Sequence, residues 1–129
     1  MTQRTIRPGN VWARSALVCL ALSLNAAPAT AHAIIVRTSP PQGGVAEGAI
    51  ARVDVWYDAG IRDAFAALAV VSASGERVDK RDAAIDSADP AHVSVSVNPL
   101  SSGKYTVRYR ALSADGHLVS GAWEFEVRP

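Results

Sequence analysis

Three histidines occur in the chain, His32, His92 and His117, and two of them stand where chemistry can use them. His117 ends the run Ser113-Ala114-Asp115-Gly116-His117. Asp115 and His117 are two residues apart, so an extended loop points both side chains the same way. Gly116 between them takes backbone angles that a side chain would forbid. A carboxylate oxygen and an imidazole nitrogen on one loop make two donors for a metal ion. His32 supplies two more if it begins the chain, because a free α-amine and imidazole Nδ1 close a six-membered ring on one ion. Three nitrogens and one oxygen suit tetragonal copper(II), which heads the affinity series of divalent first-row ions. Zinc accepts the same donors but prefers a tetrahedron. Residue types alone leave a second reading open, a plain turn in which Asp115 hydrogen-bonds its own backbone and His117 is solvated. Short motifs of this kind also recur by chance. His92 follows Asp89-Pro90 at the start of a strand and reads as an ordinary surface or edge residue.

Whether His32 comes first depends on the residues before it. Arg4, Arg7 and Arg14 precede a short apolar run, Ala16-Leu17-Val18-Cys19-Leu20-Ala21-Leu22-Ser23-Leu24, and an alanine-rich exit. The run is shorter than the roughly 20 apolar residues that span a bilayer. A basic start, a short apolar middle and a tail of small residues make a secretory signal peptide, here residues 1–31. Signal peptidase requires small residues at the first and third positions before the cut. A cut after Ala27 leaves Pro28 first, which is poorly accepted. Ala29-Thr30-Ala31 fits and leaves His32 first. Ala31-His32-Ala33 fits too but discards the histidine, and the first cut is preferred partly because of the site it creates.

Removing residues 1–31 leaves 98 residues and takes away three of thirteen basic side chains and none of twelve acidic, a net charge of −2. A weakly acidic domain lacks the basic patches that nucleic acid or an anionic membrane requires. Cys19, the one cysteine, leaves with the signal, so no disulfide holds the domain in an oxidising compartment. A lipoprotein role for Cys19 is weak, since it lies mid-run behind Val18. No second long apolar segment follows, and residues 32–129 are expected to be a soluble periplasmic monomer.

The elements that must position the donors are strands. Val53, Val55 and Tyr57 alternate with Arg52, Asp54 and Trp56; Val93, Val95 and Val97 alternate with Ser94 and Ser96. Tyr105, Val107 and Tyr109 alternate with Lys104, Thr106, Arg108 and Arg110, and Trp123, Phe125 and Val127 with Glu124 and Glu126. This period of two gives each strand one apolar and one wet face. Residues 34–38 and 68–72 are further candidates. Turns fall at Pro40-Pro41-Gln42-Gly43-Gly44, Ser74-Gly75, Asp89-Pro90 and Ser101-Ser102-Gly103. Residues 59–67 allow at most a turn or two of helix. The pattern predicts one all-β domain, a Greek-key β-sandwich or barrel of immunoglobulin-like size with about seven strands. Trp56 and Trp123 are read as core or rim packing.

His32-Ala33, Thr38-Ser39-Pro40-Pro41-Gln42-Gly43, the long block from Leu100 through Gly103-Lys104-Tyr105-Thr106-Val107-Arg108-Tyr109-Arg110 to Ser113-Ala114-Asp115-Gly116-His117-Leu118-Val119-Ser120-Gly121, and the closing Trp123-Glu124-Phe125-Glu126-Val127 together resemble the CopC family of periplasmic copper-resistance proteins. The C-terminal block is long and specific, the N-terminal one shorter but correctly placed. The resemblance implies a seven-strand Greek-key barrel or sandwich, and a copper(II) site of N-terminal histidine, aspartate and histidine, here His32, Asp115 and His117. Some members hold a second, copper(I) site in a methionine-rich loop. That loop falls near residues 59–73, which hold no methionine; Met1 is the only one in the chain. Thioether sulfur selects soft copper(I), so a single copper(II) per chain is expected.

The leading function is then a copper carrier or buffer in copper homeostasis or resistance, passing its ion to a separate inner-membrane importer of the CopD type. One alternative is a small copper-dependent oxidative enzyme, since lytic polysaccharide monooxygenases also use an N-terminal histidine brace on a β-sandwich. Those enzymes are larger, and a carboxylate closing the coordination plane leaves little room for oxygen chemistry. The other alternative is an immunoglobulin-like interaction module whose histidines are incidental.

Overall fold

A computed structural model describes residues 34–62 and 66–129. They form eight strands: β1 (Ile35–Ser39), β2 (Val45–Glu47), β3 (Arg52–Tyr57), β4 (Ala67–Ser72), β5 (Ala84–Ile85), β6 (His92–Ser96), β7 (Gly103–Leu112) and β8 (Leu118–Arg128). Two four-stranded sheets result, ordered β1-β3-β6-β5 and β2-β8-β7-β4. The chain changes sheet after β1, β2, β3, β4 and β6, as a Greek-key sandwich requires. Every pair is antiparallel except β2 with β8. No helix is present among the described residues.

Alternation decides what is buried. Val53, Val55, Tyr57, Val93 and Val95 from one sheet, with Val97 beside it, meet Leu68, Val70, Tyr105, Val107, Trp123, Phe125 and Val127 from the other in a single core. Ring contacts within it join Phe125 to Tyr105 and to Trp123, with centroids 5.6 and 5.9 Å apart. The six strands expected from periodicity are all present, with Trp123 in the core and Trp56 on the opposite face of β3. The strands β2 and β5 are additions of three and two residues. Each exists because a longer neighbour, β8 or β6, offers it a paired edge. The expectation for residues 59–67 lies partly outside the described residues; residues 59–62 are not helical.

His92 corrects its sequence reading. It does open a strand, but it is buried, and its Nε2 lies 2.7 Å from Asp54 Oδ1. Register explains the burial, since Arg37, Trp56 and His92 are neighbours in one row across β1, β3 and β6. Trp56 stacks on the imidazole with centroids 4.3 Å apart, and the Arg37 guanidinium sits 3.7 Å from the centre of the indole. Arg52 Nε, 3.1 Å from Asp54 Oδ2, covers the carboxylate from the side. Two polar groups on the outer face are thus roofed by neighbours on their own and on adjacent strands.

Candidate metal centre

β7 and β8 pair without interruption from Gly103↔Val127 to Leu112↔Leu118. The five residues left between them close a tight turn at one end of the sandwich. Ser113 N–H donates to the His117 carbonyl at 2.8 Å, and Gly116 N–H donates to the Ser113 carbonyl at 2.9 Å. Gly116 takes φ +93°, the left-handed region expected of it. The segment is therefore a turn and not the extended loop that the spacing suggested. It still brings the two side chains together, with Asp115 Oδ2 3.2 Å from His117 Nδ1.

Ser113 accounts for this geometry, and the sequence reading gave it no role. Its side chain is fully buried below the turn. The hydroxyl donates to Asp115 Oδ1 and accepts from the His117 backbone N–H at 3.2 Å. One hydroxyl thus aims the carboxylate and fixes the backbone that carries the imidazole. The Ser113 hydrogen bond, and after it those from His117, hold the Asp115 carboxyl below the usual carboxylate range. A serine two residues before an aspartate in a turn is the signal that was available for it.

The same end of the sandwich holds the first described residue. Ile34 N–H donates to Asp58 Oδ1 at 2.8 Å, and Asp58 N–H returns a bond to the Ile34 carbonyl at 2.9 Å. Four residues on, the chain reaches the β7–β8 turn. Arg62 N–H donates to the Leu112 carbonyl and Ala114 N–H to the Gly60 carbonyl, both at 2.8 Å. Ile61 bridges Ser113, and Arg62 Nη2 donates to the Ala114 carbonyl at 3.0 Å. Residues 58–62 therefore touch Ile34 at one end and the Asp115–His117 turn at the other. His32 lies outside the described residues, two positions before Ile34, as do the signal segment and its cleavage site.

Asp115 and His117 suit a small cation that binds oxygen and nitrogen. Two donors on adjacent corners of a square or tetrahedron, each about 2 Å from an ion, stand roughly 3 Å apart, which matches the 3.2 Å between these atoms. Both side chains are partly open to solvent, although the Nδ1 atom of His117 is itself covered. Two donors do not complete a site, and no cluster of three or more histidine, cysteine or acidic side chains occurs among the described residues.

Residues 35–128 match the CopC domain. The chain belongs to the CopC family. Among solved structures, CopC from Methylosinus trichosporium OB3b shares 28% identity with this chain and superposes with a TM-score of 0.71, covering 76% of this chain and 95% of that one. PcoC from Escherichia coli, a methionine-rich copper resistance protein, superposes with a TM-score of 0.67 at 23% identity, over 76% of this chain and all of that one. The copper transport protein CutJ of Bacillus subtilis (strain 168) is 31% identical over 98 residues, 75% of this chain but 18% of the relative. This CopC-family chain thus spans less than a fifth of that relative. Unlike a methionine-rich protein, it has Met1 alone.

Proposed function

We propose that residues 32–129 form a periplasmic domain that binds one copper(II) ion through His32, Asp115 and His117, and that it carries or buffers copper and catalyses no reaction. The observation that carries this reading is the approach of Asp115 Oδ2 to within 3.2 Å of His117 Nδ1, on a turn braced to the segment that also holds Ile34. Ile34, two residues after His32 in the chain, is bonded to Asp58, on the segment that is braced to the turn. The α-amine and Nδ1 of His32, the imidazole of His117 and the Asp115 carboxylate supply the three-nitrogen, one-oxygen set that favours copper(II). The carboxylate would supply the oxygen donor, and its charge would offset that of the ion. Membership of the CopC family and the copper transport and copper resistance named for its relatives support copper as the cargo. With no sulfur ligand after Cys19, tight copper(I) binding is not expected. Export follows from reading residues 1–31 as a signal peptide. The receiver of the ion is a separate membrane importer of the CopD type.

The test is an N-terminal extension. Leaving Gly-Ser ahead of His32 converts the amine to an amide and destroys the chelate ring at once. Copper(II) affinity, measured by chelator competition against protein whose first residue is His32 by mass, should fall at least about a hundredfold, roughly 3 kcal/mol. Equal affinities would overturn the assignment of His32.

A further inference from the structure

We infer that the outer face of β4, β7 and β8 beside the turn is a docking surface for an acidic polypeptide segment, held through Arg108 and Arg110. Both arginines are exposed on the outward side of β7, because Val107, Tyr109 and Ala111 next to them turn toward the core. Strand pairing gives neither one an acidic partner. Arg108 stands between Ala69 and Ala122, and Arg110 between Ala67 and Ser120. Among the described residues neither arginine forms an ion pair. The far end of the same face differs. There Lys104 pairs with Glu126 across the hairpin, and Glu126 also binds the Arg128 guanidinium. Charge on this sheet is therefore balanced far from the turn and unbalanced next to it. Arg62, whose guanidinium reaches the Ala114 carbonyl, adds a third exposed cation at the turn end.

The shape of the face suits an extended chain. Alternate residues of a strand are about 7 Å apart, so the two guanidinium groups match carboxylates at alternate positions of a partner segment. Each guanidinium can hold a carboxylate through two parallel N–H bonds. The small side chains on either side of the arginines leave a low floor that a partner's backbone can approach. Leu118, 53% exposed, pairs with Leu112 one row nearer the turn and offers an apolar contact at the border. A lipid surface fits less well. Anionic membranes take clusters of about four to eight basic residues, and Glu124 and Glu126 on this face would oppose lipid phosphates. Neither arginine belongs to the proposed metal ligands, so the surface stands or falls apart from them.

The experiment titrates isotope-labelled, metal-free protein with an N-acetylated peptide of alternating glutamate and threonine, followed through amide chemical shifts. Shifts should move at Ala67, Ala69, Arg108, Arg110, Ser120 and Ala122, with a Kd below about 1 mM at low salt. The same peptide with glutamine in place of glutamate should not bind. Arg108→Gln and Arg110→Gln should each weaken binding about threefold. Lys104→Gln, the same loss of charge on the same face, should change it less than about twofold. All three side chains are exposed and lie outside the core, and amide shifts away from the face show in the same spectra that each variant is folded. No binding of the acidic peptide, shifts spread evenly over the surface, or an equal loss in Lys104→Gln would overturn the proposal. Two further results would do the same. Retention on phosphatidylglycerol vesicles that the arginine changes abolish would make the occupant a lipid, and self-association that they abolish would make it a second copy.

Discussion

Ser113 shows how much of the candidate site hangs on one hydroxyl. It faces two groups with opposite needs, a carboxylate that accepts and a backbone N–H that donates, and a single O–H serves both. If His117 is a ligand as proposed, His117→Ala removes an imidazole donor and should cost about a hundredfold in copper(II) affinity. Asp115→Asn should cost less, because an amide oxygen still binds but brings no charge. Acidification should weaken binding as protons compete for the amine and both imidazoles. For Asp115 the same loss sets in at lower pH, because its pKa is held below the ordinary carboxylate value and the group stays charged further into acid. Ser113→Ala lets that pKa rise toward the ordinary value of about 3.9, so protons begin to compete for this oxygen at higher pH. Copper(II) affinity should therefore fall more steeply between about pH 5 and pH 4 in Ser113→Ala than in the parent. Parallel pH curves from chelator competition would show that the hydroxyl has no such part.

The β7–β8 hairpin carries the turn, and its own packing has a vulnerable point next to it. Gly121 pairs with Tyr109 across the hairpin, and the ring lies directly over it. A Cβ at position 121 would stand 2.5 Å from the Tyr109 hydroxyl and 2.8 Å from Cζ. The ring has little freedom to yield inward, because it meets Tyr57 edge-on at 6.3 Å between centroids. Gly121→Val should thus destabilise the domain by about 1–3 kcal/mol, seen as a lower Tm. Adding Tyr109→Ala removes the clash, so the double variant should be less destabilised than the two single effects added together. Simple additivity in thermal melts would show that the two residues do not oppose each other.

Across the whole molecule, the two sheets are tied by the segment around Asp79. Arg77 bridges Val71 in one sheet, and Asp79 bridges Val97 beside the other. The Asp79 side chain has no solvent exposure and accepts bonds from the Arg77 guanidinium and from the N–H groups of Val70 and Arg81. Burial by itself would raise the carboxyl, but these partners outweigh it and hold the pKa below the ordinary carboxylate value. A lowered folded-state pKa contributes stability above the unfolded value of about 3.9, and that stability is lost as pH falls through the lower folded value. Asp79→Asn should accordingly cost about 2 kcal/mol at neutral pH, with the gap to the parent narrowing below about pH 4. Denaturant melts at pH 7 and pH 3 measure it, and a gap that does not narrow would assign the loss to packing and not to charge.

The sequence by itself determined the sheets' apolar faces. Val53, Val55, Val93, Val95, Val107 and Phe125 announce their burial through alternation, because a strand exposes its two faces by turns and the period is written within one segment. It also marked out the candidate donors on the turn, since Asp115, Gly116 and His117 are adjacent in the chain. Tertiary structure alone decided what depends on register between distant segments. β2 and β5 are too short to signal themselves and exist only against β8 and β6. His92 is buried because Trp56 and Asp54 lie next to it across a strand pair, although Trp56 is 36 positions away in the chain. Asp58 meets Ile34 only because β1 and β3 pair at that end. Periodicity reports which way a side chain points. What it then touches is set by strand pairing, and pairing is a property of segments far apart in sequence.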